Sequence, residues 1–305
     1  LSSVSATDLG AHAIKGAISK TGIDKELIDE VILGHVIQAG TGQAPARQAS
    51  LKAGLAEDVP CTTINKVCGS GLKSLIFAAQ SILAKDNKVV VAGGMENMSQ
   101  APHVMHGSRN GVKFGNMELK DSMQWDGLWD VYSDRSMGEC AEECVSKYEM
   151  TREELDLYAI ESFKRAQSAV KDGVFSDEIS PISIISKKKE VIISEDEGPF
   201  KANFEKLTKL RPAFTKNGGL TAANSSTIND GAAAIVLGDE SYKDQASFKI
   251  IAYSSFAHNP TWFTTAPVES IKKVLKKSNL KIDEIDLFEI NEAFSVVAMA
   301  CMREL

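Results

Sequence analysis

Residues 61–84 read CTTINKVCGSGLKSLIFAAQSILA, and Cys68 stands where two patterns meet. The opening CTTINKV is rich in β-branched residues and reads as a strand. Beyond it, Leu72, Leu75, Ile76, Ala79, Ile82 and Leu83 recur at helical spacing. Gly69, Ser70 and Gly71 lie between, so a buried strand turns at once into a buried helix. A thiol at such a corner, flanked by almost no side chain, poses the question of function.

The neighbouring segments extend the alternation. Residues 6–20 carry Leu9, Ala13, Ile14, Ala17 and Ile18 on one helical face, and Gly22 ends that helix. EVILGHVIQ reads as a strand, ARQASLKAG as a helix closing at Gly54, and KVVVAGG as another apolar strand. Helices alternating with apolar strands predict an α/β fold on a largely parallel sheet. From about 98 to 224 the pattern is lost, and residues 98–135 look loop-rich. Thr151 and Glu154 form a capping box that opens a helix running through Val170 and stopping at Gly173. Residues 181–217 hold lysine clusters and an acidic turn. GAAAIVLG at 231–238 returns to the strand pattern and is expected to rejoin the first sheet.

A second alternating unit follows: KIIAYSSF as strand, ESIKKVLKKSNL as helix, EIDLFEI as strand, AFSVVAMACMREL as helix. The order helix, Gly or Asn stop, acidic turn, strand thus occurs at 6–36 and again at 267–290. It suggests two related halves. The expected domains are 1–97 with 228–245 as a first half, 98–227 as an inserted loop domain covering the site, and 246–305 as an incomplete second half.

With 305 residues, 43% hydrophobic and 25% charged, the chain has material for about two domains. A formal net charge of −7 argues against a nucleic-acid or membrane-surface partner, which would favour a basic face. No run is read as approaching the ~20 apolar residues of a membrane span. Five cysteines without CxxC or Cys/His spacing resemble neither a disulfide scaffold nor a zinc module. Cys140 and Cys144 share a helical face, but no third ligand lies near in sequence, so no metal is assigned. GTGQAP is a poor dinucleotide motif, because Pro45 stands where the third glycine belongs. The chain starts LSSVS and stops inside a helical pattern, and both ends read as cut.

Physically, a helix N-terminus offers unpaired N–H groups and partial positive charge, which favours thiolate. Gly69 and Gly71 would leave the Cys68 sulfur unscreened, and the Cys68 N–H could serve a bound carbonyl oxygen. A buried structural cysteine is the competing reading. It does not explain the glycines.

At this point the residues resemble the thiolase family, of the short-chain, acetoacetyl-CoA type. INKVCGSGLKSL is similar to that family's acyl-enzyme segment, and VVAGGMENMS to the strand and glycine turn after it. LRPAFTKNGGLTAANSSTINDGAAA and EINEAFS match two further motifs in the family's order. The resemblance implies a five-layer α/β/α/β/α fold from two similar βαβαβαββ halves, with the first strand and part of the second half missing here. It implies reversible acyl transfer through an acetyl-cysteine at Cys68, joining two acetyl-CoA into acetoacetyl-CoA and releasing CoA.

Carried over by motif, Asn291 would hold a water that donates to the thioester oxygen of the enolate-forming substrate. Its plainer reading is a cap for a helix starting at Ala293. Leu128, Met137, Phe214, Ala222, Ser226, Ala293 and Phe294 match positions that contact CoA in relatives, with core packing as their plainer reading. Lys187 to Lys189 read as a solvated turn rather than a phosphate site. Ser136 stands where relatives carry a histidine lining the substrate pocket. The family's Gly-His-Pro histidine and Cys-x-Gly cysteine follow the Asn-Glu-Ala-Phe loop, and neither motif occurs in these residues. AHNP at 257–260 precedes that loop and is no substitute.

No cofactor is implied beyond CoA as substrate and product. The resemblance implies that mitochondrial members can use potassium, but no ion site is established here. The resemblance further implies a homotetramer or homodimer, in mitochondria or alternatively the cytoplasm. Competing readings are a broader 3-ketoacyl-CoA thiolase and a non-catalytic thiolase-like protein. Trp125, Trp129 and Trp262 favour short acyl chains if they reach the pocket.

Overall fold

The computed structural model describes residues 1–186 and 189–305. Its regular elements begin with α1 (Ala6–Thr21), β1 (Glu30–Gly34), α2 (Pro45–Ala53), β2 (Cys61–Ile64), α3 (Ser70–Leu83) and β3 (Val89–Asn97). Short pieces follow: β4 (His103–Val104), β5 (Lys120–Asp121), α4 (Ser122–Gly127), β6 (Trp129–Asp130) and β7 (Arg135–Ser136). Then come α5 (Met137–Lys147), α6 (Arg152–Lys171), β8 (Ile182–Ser186), β9 (Lys189–Ile193) and α7 (Phe204–Leu207). The last are β10 (Asp230–Gly238), α8 (Ala266–Ser278) and α9 (Ser295–Glu304). Two compact units result: Leu1–Gly127, Ser180–Ile193 and Ile228–Lys249 in one, Leu128–Ile179, Ser194–Thr227 and Ile250–Leu305 in the other.

In the first unit the sheet runs β10-β3-β1-β2. β1 pairs in parallel with both β2 and β3, while β10 returns antiparallel along β3, opposing Ile235 to Ala92. GAAAIVLG therefore does rejoin the first sheet. Side chains alternate between faces. Val31, Leu33, Val89 and Val91 join Ile14 of α1 and Ala46 and Ala49 of α2 in one core cluster. The opposite face carries α3, whose Ser70, Ser74, Ile76, Ala78 and Ala79 are buried. Val67–Ala84 is, contrary to the sequence expectation, apolar enough for a membrane span by length and composition, with mean hydropathy 1.4 over 18 residues. In this fold most of that stretch is α3, lying on the sheet.

Two glycines let α3 and β10 approach. A Cβ on Gly34 would come within 2.6 Å of the Ser70 Cβ and 2.7 Å of its carbonyl carbon. One on Gly93 would meet the Ala233 carbonyl oxygen at 2.1 Å. Ser74 then ties helix to strand: its hydroxyl lies 2.8 Å from the Gly93 carbonyl oxygen and accepts from the Gly93 N–H at 2.9 Å.

The second unit is helical. Ala141, Cys144, Val145, Leu155, Leu220, Val296, Val297 and Ala300 form its core, drawn from α5, α6, α9 and the 220s turn. Thr151 and Glu154 cap α6 reciprocally, as their spacing predicts. The strands expected at 249–256 and 284–290 do not form. Glu284 closes a short 3-10 turn, and the other residues enter no ladder. Several of their apolar side chains project into solvent, with Leu287 89% and Ile251 69% exposed, while Phe256, Ile285 and Ile290 are half-buried. Isolated apolar runs have no ladder partner here, and strand propensity is only realised by pairing. Lys187 and Lys188 lie outside the described residues, and Lys189 opens β9.

Candidate active site

Cys68 sits in a corner built almost wholly from its neighbours. β2 ends at Ile64 and α3 begins at Ser70 with Gly69 as N-cap, so the sulfur stands just before the helix. Val67 is forced to φ +48°, the left-handed region. A β-branched residue there costs about 1–2 kcal/mol. Three short-range bonds hold it: the Val67 N–H donates to Asn65 Oδ1 at 2.8 Å, the Lys66 N–H to Ser70 Oγ at 2.8 Å, and Ser70 Oγ to the Val67 carbonyl at 2.6 Å. Asn65 also donates to the Val36 carbonyl at 3.3 Å, and the Val36 N–H donates to Glu96 at 2.9 Å.

Cys68 is exposed at the surface. Neighbouring protein nonetheless crowds its sulfur, and this desolvation pushes the thiol pKa up; its own backbone N–H pulls weakly the other way. The sequence expectation of a thiolate favoured by the helix start is therefore corrected. Gly69, not Cys68, occupies the cap, so the sulfur lies one residue outside the helix and desolvation is the larger effect on it. Crowding thus favours the protonated thiol. Nor do Gly69 and Gly71 relieve a clash, because a Cβ on either would make only ordinary contacts, at 3.5 Å and beyond.

The second unit brings together most of the other positions. The Met137 N–H donates to the Leu128 carbonyl at 2.9 Å. A Cβ on Gly138 would strike the Phe214 ring at 2.1 Å, and Phe214 meets Phe294 edge-on with centroids 5.6 Å apart. Ser226 N–H donates to the Ala293 carbonyl at 2.9 Å, and Ala222 lies exposed in the same turn. Phe294 is buried in the core, which gives it a packing role in its own right.

Asn291 is exposed and does not cap the following helix. That helix, α9, starts at Ser295 with Phe294 as N-cap and no side-chain bond. Two observations here lay outside the sequence reading. Glu292 accepts from Tyr158 Oη and Ser162 Oγ, each at 2.7 Å. Asn224, buried, donates to Asp156 Oδ1 at 2.9 Å and to the Gly219 carbonyl at 3.0 Å, while its Oδ1 accepts from the Thr221 N–H at 2.7 Å. The Asn224 carbonyl accepts in turn from the Ser295 N–H at 2.9 Å. No spacing in the sequence could announce partners so far apart.

Other expectations resolve locally. Ser136 caps α5 in a reciprocal box with Glu139, a Ser-x-x-Glu signal that the sequence did carry. Cys140 donates to the buried Asp130 at 3.8 Å. His258 lies 2.5 Å from the Trp262 carbonyl, and Asn259 caps the short helix after it. Trp262 packs on the core of the second unit, Trp125 lies under Lys120, and Trp129 donates to Asp134. Surface cavities of about 440 and 700 Å³ are lined by neither Cys68 nor Asn291.

The match to known proteins is collinear over the whole chain. Residues 1–241 match the thiolase N-terminal domain and 244–305 the thiolase C-terminal domain. The chain belongs to the thiolase family. An acetyl-CoA acetyltransferase of Yarrowia lipolytica is 48% identical, covering 100% of this thiolase and 77% of the relative. The mitochondrial acetyl-CoA acetyltransferase of Rattus norvegicus is 47% identical, with 100% and 73% covered. The crystal structure of the Acat5 thiolase from Ascaris suum in complex with coenzyme A superposes with a TM-score of 0.92 at 42% identity, covering 100% of this chain and 79% of that one. This thiolase therefore has the thiolase fold and is an acyltransferase by family.

Proposed function

We propose that this thiolase is an acetyl-CoA C-acetyltransferase. The observation that carries the reading is Cys68, a surface cysteine fixed at a strained strand-to-helix corner. In the first half-reaction the deprotonated sulfur attacks the carbonyl carbon of acetyl-CoA. The carbon–sulfur bond to CoA breaks, and CoA leaves as its thiol. In the second, another acetyl-CoA loses a methyl proton and its carbon attacks the acetyl-cysteine. Acetoacetyl-CoA forms and Cys68 recovers its proton. A thioester keeps the acyl carbon reactive between the two steps. Since desolvation raises the Cys68 pKa, a base must remove the proton before attack at neutral pH.

In this reading Asn291 holds a water that donates to the thioester oxygen of the enolate-forming substrate. Leu128, Met137, Phe214, Ala222, Ser226, Ala293 and Phe294 contact CoA. Likeness to the rat enzyme supports a mitochondrial setting, and assembly is as a homotetramer or homodimer.

Incubation with radioactive acetyl-CoA tests the assignment. The native protein is expected to retain acid-stable label on Cys68, and Cys68→Ala to retain none. Label surviving in that variant would end the reading, and absence of label in the native protein would favour a non-catalytic role.

A further inference from the structure

The loop at 291–294 leads directly into α9, and α6 grips this stretch from two places. At its far end Asp156 orients Asn224, whose carbonyl receives the Ser295 N–H. This network is buried and its members are mutually satisfied, so it fixes where α9 begins. At the near end the grip is different. Tyr158 and Ser162 stand one turn apart on the same face of α6, and each gives its hydroxyl proton to Glu292 at 2.7 Å. One hydroxyl meets Oε1 and the other Oε2, so the carboxylate plane is set as well as its position.

We propose that Tyr158 and Ser162 are positioning residues for the acyl-transfer reaction, which hold Glu292 and thereby fix the adjoining Asn291. The inference rests on the proposed role of Asn291. Asn291 is itself exposed and does not cap α9, so in this inference its backbone is registered through the hold on the next residue. Both bonds join a neutral hydroxyl to a carboxylate, the stronger class of hydrogen bond. Burial first, and then the bond to Glu292, push the Tyr158 pKa up, so its hydroxyl remains a donor across the neutral range. Small displacements of a group that orients water are expensive in rate.

The test uses the native full chain with Tyr158→Phe, Ser162→Ala, both together, Ser162→Thr and Asn291→Ala. Two half-reactions are read separately: acetylation of Cys68 by acetyl-CoA, and deuterium exchange from solvent into the acetyl-CoA methyl group, which reports enolate formation. The double variant is expected to slow exchange about 10- to 100-fold, in kcat more than KM, with acetylation changed by less than about twofold. Ser162→Thr keeps the hydroxyl and is expected to restore most of the single-variant loss. If the double variant exchanges normally while Asn291→Ala does not, the positioning role is wrong and the Asn291 reading stands. If Asn291→Ala also exchanges normally, both fail. An equal fall in both half-reactions would mean general damage to the fold and would likewise overturn the positioning role.

Discussion

The corner that carries Cys68 and the loop that carries Asn291 solve the same mechanical problem in opposite ways. At the corner, the ties of Val67 run to Asn65 and Ser70, two and three residues away in the chain. At the loop, the ties of Glu292 reach back 134 and 130 residues to α6. The first is held mainly by bonds within its own stretch, strained at Val67, and rests against β1 at Gly34. The second exists only when α6 is docked. A nucleophile tolerates a local device because it acts from one point. A residue that orients a water has to be registered against a larger frame.

The contrast can be pressed hardest through reactivity. If the corner sets the thiol alone, alkylation of Cys68 by iodoacetamide in the absence of substrate is expected to rise about tenfold per pH unit and to level off above the ordinary thiol range. A plateau at or below neutral pH would show that a distant base, not the corner, governs the resting sulfur.

Stability gives the next contrast. Asn224→Ala strands Asp156 Oδ1, whose Oδ2 keeps Arg152, and the Thr221 N–H in a buried setting, and is expected to cost about 2–3 kcal/mol in denaturant melts. Asn65→Ala releases half-exposed groups that water can serve, and about 1 kcal/mol is expected. Equal losses would erase the distinction between a local and a long-range hold. A comparably small effect is expected of Ser136→Ala, about 1 kcal/mol for a lost helix cap. The Ser136 hydroxyl, then its N–H, keep the Glu139 carboxyl below its ordinary range. Part of that cost is thus present above the ordinary carboxylate pKa and fades as pH falls through the lowered one. A penalty unchanged in acid would mean that the box contributes through packing alone.

Legibility followed the same divide. The segments at 6–34 and 266–290 share a grammar that the sequence announces. In each, a helix ends on a left-handed stop, Gly22 at φ +67° and Asn279 at φ +57°, and a short 3-10 turn follows. Then they part. Residues of β1 find β2 and β3, and Leu33 is 1% exposed; residues 285–290 find no ladder, and Leu287 projects into solvent. Caps and stops depend on residues within a turn and can be read directly. Ladders depend on what lies opposite. The Cys68 corner was readable for the same reason that α1 was. The grip of Tyr158 and Ser162 on Glu292 was not, because nothing in either stretch encodes the other.

The crowding that favours the protonated form of Cys68 has a consequence outside the reaction itself. Peroxide and most electrophiles attack sulfur as its anion, so a cysteine that keeps its proton is slow to become a sulfenic acid or a dead adduct. An accessible nucleophile is ordinarily the first casualty of oxidative stress. Here the crowding that favours the proton on the sulfur until a base acts also shelters that sulfur between turnovers.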